Sequence, residues 1–234
     1  MKKSIMAVIA ENSGKAMVMV QRHYSYLSGP VAARYNNDAN LTMAVNISHQ
    51  ELPALFALDK EGVMNGWKHG ELIAESGIKI EEIVGSCQGR GPESGLRISE
   101  GFHEAEGSWL PVSCDAAANW PTYSFDYIKD SMLDSYPAEW MNGQHPDLIT
   151  SDTPESFKAR VVGLIDQLLD KGGVRMITSH FEIIALTHSL YVEGKDLGSI
   201  NEKFAPQKGG GVLVVRHEDG TVAAYDYDAG YNVL

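Results

Sequence analysis

The stretch VMVQRHYSY, residues 18–26, decides how the rest of the chain is read. An apolar, strand-like run stops at an adjacent arginine and histidine, Arg22 and His23, and two tyrosines follow. A strand end carrying a permanent cation beside an imidazole suits an anion pocket with a nucleophile in it. It equally suits an exposed loop. The choice depends on whether the chain supplies another arginine, another histidine and an acid at comparable places.

Working outward, KAMVMVQ (15–21) is a first strand, short and apolar. LPALFALDKEGVMNGWKHGELIAESG (52–77) holds one or two helices, with Gly77 placed to end them. IKIEEIVGS (78–86) reads as a second strand, and PESGLRISEGFHEAEG (92–107) as a helix that Pro92 can open. Gly95 and Gly101 weaken the expectation that this helix is regular. The clearest helix is TPESFKARVVGLIDQLLDKGG (153–173). Its Phe157, Val161, Leu164, Ile165, Leu168 and Leu169 make one apolar stripe, with Thr153 as cap, Pro154 in the first turn and Gly172 at the end. VRMITS (174–179) is the next strand, FEIIALTHSLYVEG (181–194) is helical, and GVLVVRHEDGTVAAYDYD (211–228) is two strands joined at HEDG.

This alternation predicts an α/β fold, a three-layer α/β/α sandwich with a mostly parallel central sheet. No repeat or low-complexity linker interrupts it, so a single domain over residues 1–234 is expected. Residues 108–150 differ in texture and are expected to form an aromatic-rich insertion. They hold Trp109, Trp120 and Trp140 together with Tyr123, Phe125, Tyr127 and Tyr136. Such a cluster either packs a small core of its own or walls a substrate cleft.

Composition narrows the partners. A net charge of −12, from 31 acidic against 19 basic residues, disfavours nucleic acid and acidic membranes. It leaves room for a small anion in a pocket where two arginines dominate at short range. No apolar run approaches the roughly 18 residues of a membrane span. The start, MKKSIMAVIAENSG, has two lysines and an apolar run that ends at Ala10, short for a secretory leader, so the segment is expected to be retained. Cys87 and Cys114 form neither a metal motif nor a disulfide framework, which points to reduced thiols and a cytoplasmic location. The stretch SCQGR (86–90) is too short between cysteine and arginine for a cysteine-phosphatase loop, and GRGPESG lacks the dinucleotide pattern. His49, His69, His103, His145, His188 and His217 show no metal-ligand spacing, so no metal and no cofactor are expected. A homodimer is left open.

In a sheet of this kind, ligand groups gather at the carboxyl ends of the strands. Three such ends carry chemistry: Arg22 and His23 after the first strand, Arg90 after the second, and His180 after VRMITS. Guanidinium forks bond phosphate oxygens and stay charged at every relevant pH. One neutral imidazole can attack phosphorus while another hydrogen-bonds an equatorial oxygen.

In this order the residues resemble the histidine phosphatase superfamily, also called phosphoglycerate mutase-like. VMVQRHYS is similar to the family's Arg-His-Gly element, LDKEG (58–62) to Leu-Thr-x-x-Gly, and IVGSCQGRGPES (83–94) to a strand followed by an arginine and a hydroxyl four residues on, here Arg90 and Ser94. The late helix and strand leading to SHFE resemble Ser-His-Gly-Glu, with His180 and Glu182 in register. The likeness runs from about residue 15 to residue 228.

The resemblance implies a metal-independent phosphatase acting on a small phosphorylated substrate through a phosphohistidine. It makes His23 the nucleophile, Arg22, Arg90 and His180 the phosphate-binding set, and Glu182 and Ser94 supporting residues. Two departures stand out: Tyr24 and Phe181 replace the glycines that follow the two histidines. The family's acid, some 23–28 residues after the second arginine, makes Asp115 the candidate general acid, with Asp126 behind it. In LPVSCDAAANW (110–120), the aligned acid position itself falls near Trp120. Some family members acting on phosphohistidine lack that acid. A non-catalytic phosphate-binding protein and a phosphomutase are the alternatives.

Overall fold

The computed structural model describes residues 3–24, 58–87, 90–121, 136–147, 149, 151–201, 204 and 206–234. Its centre is set by β1 (Ala16–Arg22), in which Met17 to Gln21 are all buried. Side chains alternate across a strand, so Val18 and Val20 face one layer while Met17 and Met19 face the other. A strand that is apolar on both faces is satisfied only between two layers of helices.

The sheet that results has six strands in the order β3-β2-β4-β1-β5-β6. The others are β2 (Ile80–Ser86), β3 (Val112–Asp115), β4 (Val174–Ser179), β5 (Gly211–Arg216) and β6 (Val222–Tyr227). β3, β2, β4 and β1 run parallel, β5 is antiparallel to β1, and β6 pairs antiparallel to β5. The expected α/β/α sandwich with a mostly parallel sheet is what forms. The hairpin turns at His217–Gly220, where the His217 amide donates to the Thr221 carbonyl.

The Met17/Met19 face is covered by α1 (Ile5–Glu11), α2 (Lys60–Glu75) and α3 (Arg90–Glu106). α1 is the apolar start of the chain, and it buries Ile5, Val8 and Ile9. The Val18/Val20 face is covered by α4 (Tyr136–Met141), α5 (Pro154–Asp170) and α6 (Phe181–Thr187). α5 starts at a reciprocal cap between Thr153 and Ser156 and buries the whole stripe from Phe157 to Leu169. α6 passes into a wider π turn over His188–Val192. Among the described residues, no helix is long and apolar enough to cross a membrane.

The expectation for residues 108–150 is corrected in part. Val112–Asp115 is the edge strand of the central sheet, paired with β2 from Ile83↔Val112 to Ser86↔Asp115, and therefore belongs to the main fold. The aromatic residues have no common role. Trp140 is buried in the shared core against Phe157, Trp109 is exposed and stacks on His103, and Trp120 reaches the site described below. Tyr123, Phe125, Tyr127 and Asp126 lie outside the described residues.

α3 is continuous through its glycines because close packing requires them. A Cβ on Gly101 would overlap the Trp67 carbonyl, and one on Gly70 would overlap the Ile98 carbonyl, so α2 and α3 touch backbone to backbone. Gly163, on the exposed side of α5, has open space around it. The same substitution should therefore have opposite signs at the two positions. Gly101→Ala should destabilise by about 1–3 kcal/mol through overpacking, whereas Gly163→Ala should stabilise by roughly 0.5–1 kcal/mol through helix propensity. Urea denaturation of both variants is the check.

Candidate active site

The β1–β4 ladder pairs Arg22 with Ser179, and the His23 amide then donates to the Ser179 carbonyl at 2.7 Å. That bond carries the register past the end of the strand and sets His23 beside His180. The two rings meet edge to face with centroids 5.1 Å apart. Both imidazoles are buried, at 3% and 2% exposure.

His23 Nδ1 lies 2.7 Å from the Tyr24 carbonyl oxygen. A carbonyl only accepts, so Nδ1 carries the hydrogen and Nε2 keeps its lone pair. The His23 pKa is pushed well below its ordinary value, first by burial and then by the charges of Arg90 and His180, with Arg22 adding to them. The bond to the Tyr24 carbonyl opposes this without reversing it. The result is a neutral imidazole with a nucleophilic nitrogen among cations.

Both arginines are braced. Arg22, the last residue of β1, donates from Nη1 to the Pro206 carbonyl at 2.7 Å, and its guanidinium carbon lies 5.3 Å from the centre of the Phe181 ring. Arg90 opens α3 and is buried at 6% exposure, with its guanidinium carbon 5.6 Å from the Trp120 ring centre. Ser94, one turn along α3, donates to the Arg90 carbonyl at 2.7 Å and accepts from the Tyr24 amide at 3.3 Å. One hydroxyl thus ties the histidine arm to the arginine arm. Glu182 is buried in the first turn of α6, two residues beyond His180.

Arg22, His23, Arg90, Ser94, His180 and Glu182 thus gather where three parallel strands end. Asp115 lies on the neighbouring strand, paired with Ser86. It ends the edge strand β3, three strand spacings or about 14 Å of sheet from β1. Its carboxylate caps the short 3₁₀ turn Ala116–Ala118, accepting from the Ala117 amide at 2.7 Å. A turn cap is the structural role this aspartate performs.

Ser86 and Arg160 were missed in the sequence, and Trp120 was noted there without a settled role. Ser86, the buried end of β2, places its hydroxyl 3.0 Å from His180 Nε2, and a side chain at Gly91 would collide with that hydroxyl. Trp120 stacks on His180 with centroids 5.2 Å apart and planes 23° from parallel, so an indole stands where the acid was aligned. Arg160 fixes the turn leading to that indole, donating to the Ala117 carbonyl at 2.8 Å and the Asn119 carbonyl at 2.7 Å while gripping Asp152 at 3.1 Å through two nitrogens. Ser179 adds a bond to the Ala118 carbonyl at 2.5 Å. Only the small residues of SCQGR hinted at any of this.

The two bulky replacements are accounted for. The Phe181 ring backs Arg22, and Tyr24 is buried on the other face of the sheet among the residues of α2. Among the described residues, no three or more His, Cys, Asp and Glu side chains form a group able to hold a metal ion.

The fold, a mostly parallel sheet between two layers of helices, is shared with solved structures of phosphatases and of a phosphoglycerate mutase. Solved structures that share it include phosphoglycerate mutase from Bacillus anthracis, at 15% identity and a TM-score of 0.59 over 95% of this chain and 97% of that one. A phosphoserine phosphatase mutant from Entamoeba histolytica in complex with phosphoserine aligns at 12% identity and TM-score 0.58, covering 92% of this chain and 98% of its own. A mycobacterial glucosyl-3-phosphoglycerate phosphatase complexed with VO3 aligns at 12% and 0.58, covering 90% and 97%. At such identities the likeness is one of fold. By sequence, the chain matches no family model and no curated protein.

Buried neutral histidines tie stability to pH. Burial pushes His69, in α2, down to about 4, and His23 is lowered too. In the unfolded chain each binds a proton near pH 6.5, so below that pH the unfolded state holds more protons and stability falls with pH. For His69 the loss runs from about pH 6.5 down to about 4 and is worth on the order of 3 kcal/mol. Urea midpoints should decline through this window in the wild type and decline less in His69→Gln. Parallel declines would show that His69 does not contribute.

Proposed function

We propose that this chain is a metal-independent phosphatase that hydrolyses a small phosphomonoester through a phosphohistidine at His23. One observation carries the reading: a neutral imidazole, protonated on Nδ1, presents Nε2 beside Arg22, Arg90 and His180. The family likeness in fold agrees with it.

In this reading Arg22, Arg90 and His180 hold the equatorial oxygens, and their charge offsets that of the phosphoryl group. The Nε2 lone pair forms the N–P bond as the ester P–O bond breaks. The imidazolium that results keeps its Nδ1 hydrogen on the Tyr24 carbonyl. Water then attacks phosphorus, the N–P electrons return to Nε2, and the water proton leaves with the released phosphate or to solvent. The departing ester oxygen needs a proton unless it is a good leaving group. Asp115, occupied as a turn cap, is poorly placed to give one, so the reading favours esters of acidic alcohols, phenols above all.

An aryl phosphate should be hydrolysed equally well with and without a metal chelator, since the described cations are the protein's own. His23→Ala should abolish turnover and leave the fold intact. An acid-labile, base-stable phosphoryl label should form on the wild type and be missing from that variant. Equal labelling of both proteins refutes the assignment of His23. Asp115→Asn should leave aryl-ester turnover unchanged, whereas a loss of about 10²–10⁴-fold confined to alkyl esters would restore it as the acid.

Phosphate or vanadate should compete with substrate. Arg90→Ala should weaken vanadate binding by roughly 1.5–3 kcal/mol, the scale of a charged hydrogen bond. Arg90→Lys should recover little of it, because an ammonium cannot reproduce the planar fork. Calorimetric titration of vanadate into the three proteins tests this, and undiminished affinity in Arg90→Ala places the anion elsewhere.

A further inference from the structure

The carbonyl that fixes the His23 tautomer belongs to Tyr24, and Tyr24 is held by its side chain. Its ring fills a slot between two helix and loop glycines. A Cβ on Gly66 of α2 would come within 3.0 Å of the ring, and one on Gly209 within 2.9 Å. Gly209 and Gly210 belong to the loop that bonds both backbone groups of Arg22: the Gly209 amide donates to the Arg22 carbonyl and the Arg22 amide to the Gly210 carbonyl. The ring is thus clamped by the same segment that fixes the end of β1.

The hydroxyl enters a directed chain of hydrogen bonds. His69 Nε2 is 2.7 Å from the Ala229 carbonyl, so that nitrogen carries the hydrogen. His69 Nδ1, left with a lone pair, accepts from the Tyr24 hydroxyl at 2.6 Å. The Tyr24 oxygen accepts in turn from Gln21 Nε2 at 2.9 Å, and Gln21 Oε1 accepts from the Tyr231 hydroxyl at 2.8 Å. Tyr231 closes the loop by packing on His69, with ring centroids 4.0 Å apart. Every polar atom named has a partner, and Gln21, Tyr24, His69 and Tyr231 are all buried. Burial keeps the Tyr24 hydroxyl protonated and His69 neutral, which are the states the chain of bonds requires. A network this complete has one low-energy arrangement, and in it the Tyr24 carbonyl faces His23.

We propose that Tyr24 and His69 are positioning residues for His23, holding the carbonyl that fixes its tautomer through a buried relay anchored on the backbone at Ala229. This rests on His23 being the nucleophile, as proposed above. The tyrosine, which departs from the glycine of the resembled motif, thereby has a function of its own. Tyr24→Phe keeps the ring in its slot and removes the hydroxyl's bonds to His69 and Gln21. His69→Phe removes both bonds that the imidazole makes. His69→Gln restores them in principle, because its Oε1 can accept from the Tyr24 hydroxyl while its Nε2 donates to the Ala229 carbonyl.

Steady-state kinetics on an aryl phosphate, vanadate titration and side-chain nitrogen NMR of the free protein test this together. Tyr24→Phe and His69→Phe should lose turnover on the order of 10–10²-fold, the scale of a small positional error. Vanadate affinity should stay within about twofold, since the arginines are untouched. The His23 imidazole should lose its Nδ1-protonated signature in both variants, and His69→Gln should recover turnover and signature together. Should Tyr24→Phe fail to fold, the two His69 variants make the same comparison. Wild-type kcat and an unchanged His23 signature in the folded variants, with only a lower Tm, would reduce the pair to packing and overturn the proposal. If the wild type hydrolyses no phosphate ester, the phosphatase reading fails by itself. The nitrogen signals of the free protein then decide this proposal alone: loss of the signature supports it and retention overturns it.

Discussion

A single backbone hydrogen bond, from the His23 amide to the Ser179 carbonyl, extends the parallel pairing of β1 and β4 beyond the last ladder residues. Everything chemical in the molecule depends on that register. It puts Arg22 level with Ser179 and the two imidazoles side by side, although 157 positions separate them in sequence. A slip of one residue would turn Met17 and Met19 toward the layer built for Val18 and Val20. It would also part the histidines. The apolar alternation that fills both core layers is therefore what enforces the geometry of the site, and core and site are specified by the same strand.

Gathering two arginines and two histidines at a buried strand edge incurs a desolvation cost, and the surrounding structure offsets it with polarisable faces and carbonyls. Phe181 lies beneath Arg22, Trp120 beside Arg90 and His180, and the Pro206 carbonyl on Arg22. Rings and carbonyls stabilise a guanidinium without neutralising it. These partners stabilise the cations of the site in a chain whose net charge is −12. The indole is held as firmly as the charges it faces, since three successive carbonyls of its turn are bonded by Arg160 and Ser179.

What could be read in the sequence follows from range of interaction. β1, β4 and α5 were legible because each is decided by its own periodicity, and Arg22, Arg90 and His180 because strand ends converge in any sheet of this topology. β3 was not legible as a strand. Its four residues, Val112–Asp115, are partly exposed at a sheet edge and carry little apolar pattern. The interruption expected at Gly95 and Gly101 did not occur, because propensity counts only local terms, whereas the approach of α2 is a tertiary one. Ser86, Trp120 and Arg160 act through contacts with residues tens of positions away, and nothing within their own segments marks them. Asp115 was nominated by resemblance and spacing, and neither signal marked the local turn that its carboxylate caps.

The electrostatics of His23 have a further implication. The guanidinium of Arg90, which would attract an anion, is also a leading cause, after burial, of the depressed imidazole pKa. Burial and these charges therefore hold the His23 imidazole unprotonated. An arriving dianion would oppose that field and favour protonation of the imidazole. Two features resist this: the ring is buried, and its Nδ1 hydrogen already has the Tyr24 carbonyl as partner. Any added proton would have to go to Nε2, where the charges of Arg90, His180 and Arg22 disfavour it. The tautomer set by one carbonyl is thus what leaves Nε2 with its lone pair while the neighbouring charges disfavour a second proton.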